Sequence, residues 1–252
     1  MKRTITTRGI TIGRGIPKIC VPLVGRTVAE LIEEAAALKT IDYDIVEWRA
    51  DYFEQIEDIG KVEETLSQIR AILQDTPIIF TFRSAKEGGE KEVGTAYYIE
   101  LNKAIIETGL ADIIDIELLN EETIVKSLVK TAHSKGVLVI ISNHDFEKTP
   151  SKEEIIARLR KAQELEADLP KIAVMPTSSS DVLTLLVATN IMYEQYADRP
   201  IITISMGSKG VISRLAGGTF GSALTFASAG KKSAPGQVEA AELRRALHLL
   251  HS

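Results

Sequence analysis

The chain has 252 residues, with 30 Lys and Arg against 35 Asp and Glu for a net charge of −5, and 44% of it is hydrophobic. That composition excludes a disordered chain, a collagen-like repeat and a cysteine scaffold, and with no basic stripe it argues against a nucleic-acid binder. At about 100–200 residues per domain the length suits one large domain or two small ones, and it is enough to bury a core without disulfides or metal.

The opening MKRTITTRGITIGRG carries basic residues with no apolar stretch behind them, so it does not read as a secretory leader. Its two short alternating runs, either side of Arg8 and Gly9, predict a β-hairpin ahead of the first long strand. The run 18–25 (KICVPLVG) holds the only cysteine, Cys20, which reads as a small buried hydrophobe rather than a nucleophile. Thr27 and Glu30 have the spacing of a capping box, and Val28, Leu31, Ile32, Ala35 and Leu38 then form one apolar stripe. Further strand-like runs come at 41–51, 77–84, 111–118, 136–146, 169–176, 200–207 and 223–230. Most are almost continuous Val, Ile and Leu, the mark of strands covered on both faces in a parallel sheet. Ser151 and Glu154 suggest a second capping box, with Ile155, Leu159 and Ala162 behind it, and Leu243, Ala246, Leu247 and Leu250 line the last helix. No window reaches the length of a membrane-spanning helix, so the expectation is a soluble, cytoplasmic protein.

Eight strand-then-helix units, at about 31 residues each, predict an α/β fold closed into a (β/α)8 TIM barrel. It is expected as a single domain over 1–252, with the N-terminal hairpin closing the barrel bottom. An open doubly wound sheet is the alternative, but no G-x-G-x-x-G opens the first helix.

Barrel enzymes carry their chemistry at the C-terminal ends of the strands. Read in order, those ends give Glu47 and Arg49, then Arg83 with Glu87, then His144 and Asp145, then Lys171 and Ser205. Arg214 follows the seventh strand, and GKKSAPGQ puts Ser233 and Gln237 after the eighth. Lys171 sits early in an apolar run, where an unpaired ammonium would cost several kcal/mol, so it is expected to be paired or deprotonated. A desolvated lysine near arginines loses its proton more easily and becomes the neutral amine that attacks ketones. The alternative is a lysine snorkelling to solvent at the barrel bottom. His144 ends a strand, where an imidazole suits proton transfer, though it could simply cap the next turn. Arg49, Arg83 and Arg214 offer planar forks for carboxylates or phosphates, or could pair with Glu47, Glu87, Asp115 and Glu117 as structural networks. No second histidine stands at a metal-ligand spacing, and no P-loop is present.

Together the segments VEWRAD, TFRSAKEGGE, SNHDFEKTP, KIAVMP, ISMGSKGVISRLAGGTFGSALTFA and SAPGQ resemble the type I 3-dehydroquinate dehydratase family. They run in order from the second strand to the last loop, with no departure at the positions that matter. The resemblance implies a barrel enzyme of the shikimate pathway that uses no metal or cofactor and converts 3-dehydroquinate to 3-dehydroshikimate. It makes Lys171 the imine-forming residue, His144 the proton-transfer residue and Glu87 the carboxylate that orients it. It places the substrate against Glu47, Arg49, Arg83, Arg214, Ser233 and Gln237; segment 230–237, rich in Gly, Ser and Pro, is expected as a lid that excludes water. It also implies a homodimer, with no nucleic acid or membrane as partner. Two other readings stay open on the residues themselves: an imine-forming aldolase or transaldolase, and a non-enzymatic barrel that binds a carboxylated ligand around a structural Lys171.

Overall fold

The computed structural model describes residues 2–231 and 233–251; Met1, Lys232 and Ser252 lie outside the described residues, Lys232 within the segment expected as a lid. The chain opens with an antiparallel hairpin, β1 (Ile5–Thr7) and β2 (Ile10–Ile12). Its two-residue turn puts Arg8 at φ 42° and Gly9 at φ 79°, the left-handed pair that matches the strand twist. A side chain is strained there, and Arg8 is held by Asp112 at 2.7 Å and the Gln74 carbonyl at 2.9 Å.

The barrel strands are β3 (Lys18–Leu23), β4 (Ile45–Arg49), β5 (Ile78–Thr81), β6 (Ile113–Glu117), β7 (Leu138–Asp145), β8 (Leu169–Val174), β9 (Ile202–Ser205) and β10 (Leu224–Phe226). Between and after them run α1 (Val28–Ala37), α2 (Ile59–Leu73), α3 (Thr95–Thr108), α4 (Glu122–Ser134), α5 (Lys152–Glu164), α6 (Ser179–Ile191), α7 (Val211–Ala216) and α8 (Ala240–Leu250). All eight strands are parallel, in the order β10-β3-β4-β5-β6-β7-β8-β9. This is the predicted barrel, with the hairpin in place. The last seam, β9 to β10, is closed differently from the rest. It has a bridge between Ile201 and Ser222, and the Ser222 hydroxyl takes the Thr203 amide at 3.0 Å.

Side chains alternate along each strand, so one set faces the helices and the other the barrel interior. The outer set, including Val46, Trp48, Ile78, Phe80, Ile114 and Ile116, packs on helix residues such as Leu66, Ile69, Leu101 and Leu128. Trp48 meets Phe53 and Phe80 edge-on at 5.9 and 5.5 Å. The lowest inward set is wholly apolar: Cys20, Ile45, Ile79, Ile113, Ile140, Leu169, Ile202 and Leu224, with Ile5 and Ile12 of the hairpin packed into it. Cys20 is fully buried, and burial pushes its thiol well above the usual range. Among the described residues no helix is long and apolar enough to cross a membrane.

Two local expectations are revised. The Thr27 and Ser151 hydroxyls do cap their helices, accepting from Glu30 N at 3.3 Å and Glu154 N at 3.2 Å. Neither box is reciprocal, because Glu30 takes the Arg26 amide and Glu154 takes Arg158. The complete box is at Ser178 and Asp181. Leu250, expected on the buried stripe of α8, is exposed because the stripe ends at Leu247.

Candidate active site

Above the apolar floor the inward positions turn polar. The second inward position of β4 to β8 gives Glu47, Thr81, Asp115, Ser142 and Lys171, and the third, on or just past β4 to β7, gives Arg49, Arg83, Glu117 and His144. Lys171 lies in the interior, only 5% exposed, and not at the solvent-facing bottom. Its Nζ donates to Asp115 Oδ2 at 3.1 Å, stands 3.6 Å from Glu47 Oε1, and lies 4.7 Å from the centre of the Phe226 ring. Of the two expectations for this buried ammonium, pairing is the one observed. Asp115 also accepts from Arg83 NH2 at 2.8 Å and Ser142 Oγ at 2.6 Å. Despite complete burial, Arg83 and then Lys171 hold its carboxyl down at about 2.

The three arginines are used differently. Arg49 binds Asp51 through Nε and NH2 at 2.8 Å each, and its NH1 donates to the Ser233 carbonyl at 3.2 Å. Arg83 reaches Glu117 at 2.8 Å and Ser142 at 3.0 Å through NH1, besides Asp115. Both therefore sit in carboxylate networks. Arg214, on α7, is 1% exposed, and its hydrogen bonds among the described residues are to the carbonyls of Phe226 at 3.3 Å and Pro235 at 3.0 Å. Its Nε has no partner, and among the described residues no carboxylate pairs with it. Burial alone lowers it to about 10. A buried, uncompensated guanidinium is costly, and an incoming anion would relieve it.

Glu87 lies in the turn after β5. Gly88, at φ 82°, keeps its place there because a side chain would strike the Phe146 ring. One Glu87 oxygen accepts from the His144 amide at 2.9 Å and stands 2.9 Å from the ring Nδ1; the other takes Asn143 Nδ2 at 3.2 Å. Burial, then Arg83, Lys171 and Arg49, push the His144 imidazole well below its ordinary range. Burial raises the Glu87 carboxyl to about 8, against the pull of Arg83 and with Glu117 adding to the rise. The pair thus keeps one proton up to about pH 8.

The raised acid stabilises the fold at low pH and loses that contribution as pH rises through its folded value; the depressed histidine does the reverse. Between about pH 4.5 and 6.5 the two cancel, since the unfolded chain also holds one proton there, on the imidazole. From about 6.5 to about 8 only Glu87 acts, so stability falls as the pH rises. The urea midpoint is expected to drop across that window, and Glu87→Gln to lose most of the slope. An unchanged slope in the variant would remove the shared proton.

Ser233 and Gln237 hold each other, Ser233 N donating to Oε1 at 2.9 Å and Nε2 donating to Ser233 Oγ at 3.1 Å. With Arg49 and Arg214 on its carbonyls, their loop lies across the barrel mouth. The nine site residues that the resemblance assigns all line one cavity, together with Phe146, Met206 and Phe226. Ser205 and Asp145 are not among its lining. Each stands one step out of register with an inward neighbour, so Ser205 faces out and Asp145 caps the amides of Glu147 and Lys148. Asp51 and Ser142 escaped the sequence reading, and Asp115 entered it only as an arginine partner; the alternation Ile113, Asp115, Glu117 was the available signal.

A model of the family described as type I 3-dehydroquinase matches residues 19–252. The chain is 64% identical over 251 residues to the 3-dehydroquinate dehydratase of Bacillus licheniformis, covering 100% of this chain and 99% of that one. It is 60% identical over 247 residues to the 3-dehydroquinate dehydratase of Listeria monocytogenes, covering 98% of each. Among solved structures, the type I 3-dehydroquinate dehydratase of Clostridium difficile with covalently modified comenic acid superposes with a TM-score of 0.97. The two are 56% identical, over 100% of this chain and 99% of that one.

Proposed function

The chain belongs to the type I 3-dehydroquinase family, and from that premise we propose that it removes water from 3-dehydroquinate through an imine to Lys171, with His144 moving the protons. The observation that supports this most is the pairing, in one cavity, of a buried amine with a buried arginine that has no carboxylate partner among the described residues. Such a site suits a molecule with a ketone at one end and a carboxylate at the other. The aldolase reading, which needed a phosphate at the far end, gives way with the family.

The chemistry balances within these residues. The Lys171 ammonium passes a proton to His144, and the freed amine adds to the C3 ketone. The resulting imidazolium returns the proton to the carbinolamine hydroxyl, which leaves as water, so an iminium forms. The C2 proton next to a ketone is too weakly acidic for rapid removal; the iminium accepts the electron pair when His144 takes that proton. His144 then protonates the departing C1 hydroxyl, and water hydrolyses the conjugated iminium to the enone and the lysine ammonium. Glu87 accepts Nδ1–H, which leaves Nε2 free to act as the base.

Arg214 takes the substrate carboxylate beside Ser233 and Gln237, while Glu47, Arg49 and Arg83 face the ring hydroxyls. Purified protein with 3-dehydroquinate is expected to develop the absorbance of a conjugated enone; its absence would overturn the proposal. In the same assay Arg214→Lys is expected to raise KM on the order of tenfold or more, because a point charge cannot replace the fork. An unchanged KM would move the carboxylate elsewhere. We also infer a homodimer: Leu183 and Val187, one turn apart on α6, are 62% and 47% exposed and offer a second copy an apolar face. A sedimentation mass of one chain would overturn that.

A further inference from the structure

A line of hydrogen bonds runs from the outer helix layer to the acid–base pair. Arg158, on α5, donates through NH1 to Asn143 Oδ1 at 2.8 Å and through Nε to Glu154 Oε1 at 2.8 Å. Asn143, 1% exposed, faces outward from β7 beside the inward His144. Its Nδ2 donates to Glu87 Oε1 at 3.2 Å, and the other Glu87 oxygen carries His144. A guanidinium only donates, so it must take the oxygen of the amide. The nitrogen is then left for Glu87. Turned the other way, Asn143 would present its carbonyl to a carboxylate, and two acceptors would meet.

We propose that Arg158 is a positioning residue for the reaction: it fixes the Asn143 amide so that Asn143 holds the Glu87 carboxylate in line with His144. The inference rests on the acid–base roles given to His144 and Glu87 above.

The groups facing Glu87 define what its loss should do. Arg83, 3.8 Å away, favours the ionised carboxylate, Glu117 and Asp115 disfavour it, and the His144 ring shares its proton. Asn143 supplies the neutral donor. Without that donor the ionised form is less favoured, and the pair keeps its proton to a higher pH. His144 can accept the C2 proton only when Glu87 is ionised and takes Nδ1–H. The acid limb of the kcat profile should therefore move upward.

The test is the pH profile of kcat, with a thermal melt for each protein. Arg158→Met is expected to raise the midpoint of the acid limb by about half a pH unit or more. Asn143→Leu should raise it at least as far, and the double variant no further than Asn143→Leu. Arg158→Lys, which still donates to Oδ1, should stay close to wild type. Arg158 is 24% exposed on the outer face of the barrel, so its variants are informative even if Asn143→Leu does not fold. A lowered melting temperature with an unmoved limb in Arg158→Met would reduce Arg158 to docking α5 and overturn the proposal, as would shifts that add in the double variant. Glu87→Gln separates the two levels. If its acid limb persists unchanged, the roles of the pair themselves fail. If that limb is lost in Glu87→Gln but unmoved in Arg158→Met, only the positioning role fails.

Discussion

Lys171→Ala is expected to abolish turnover, by a factor on the order of 10⁴ or more, because no other group in the site can bond to the ketone. Borohydride added to wild-type protein with 3-dehydroquinate should fix the ligand's mass on Lys171, and the variant should acquire none. The loss should be chemical rather than a collapse of the fold. Asp115 would lose one donor but keep Arg83 and Ser142, at 2.8 and 2.6 Å. An unpaired buried carboxylate costs several kcal/mol, whereas one still held by a guanidinium costs far less. Retained turnover, or an adduct on another lysine, would leave Lys171 a structural counter-ion and overturn its imine role.

His144→Ala is expected to lower kcat by roughly 10²–10⁴ while leaving KM much less affected. The proton steps lose their carrier, but the amine that forms the imine remains. Borohydride should therefore still label Lys171 in this variant, more slowly, even as product formation nearly stops. Glu87 stays in place, because the backbone amide of residue 144 and the Asn143 side chain still donate to it. Two different losses, bonding in one variant and proton transfer in the other, distinguish the roles. A His144→Ala enzyme with near-normal kcat would assign the protons elsewhere.

The barrel was legible because its strands are buried on both sides, and continuous Val and Ile runs betray that directly. The inward polar residues were legible where they sit at strand ends, as with Glu47, Arg49 and His144, since charge there has no packing explanation. Parity was harder. Ser205 and Asp145 read as mouth residues because their strands stop near them, yet a single residue's step turns each away from the cavity. The arginines show a different limit. Composition offers enough carboxylates to pair all three, and only the fold decides that Asp51 meets Arg49, that Asp115 and Glu117 meet Arg83, and that none among the described residues meets Arg214. Asn143 was invisible for a related reason. It faces the helices, where a polar residue looks like a packing compromise until Arg158 and Glu87 are seen on either side of it.

The uneven stitching of the barrel wall divides labour around its rim. On the sector carrying Asp115, His144 and Lys171, β6, β7 and β8 are laddered along most of their length. Where β9 approaches β10, one bridge and a serine hydroxyl stand in for a ladder, and β10 itself has three residues. Arg214, on α7, and the loop with Ser233 and Gln237 follow these two strands. Fewer backbone bonds mean a lower cost of local opening. The carboxylate site proposed at Arg214 therefore lies beside the sector of lowest opening cost, and the proposed imine-forming Lys171 lies in the fully laddered one.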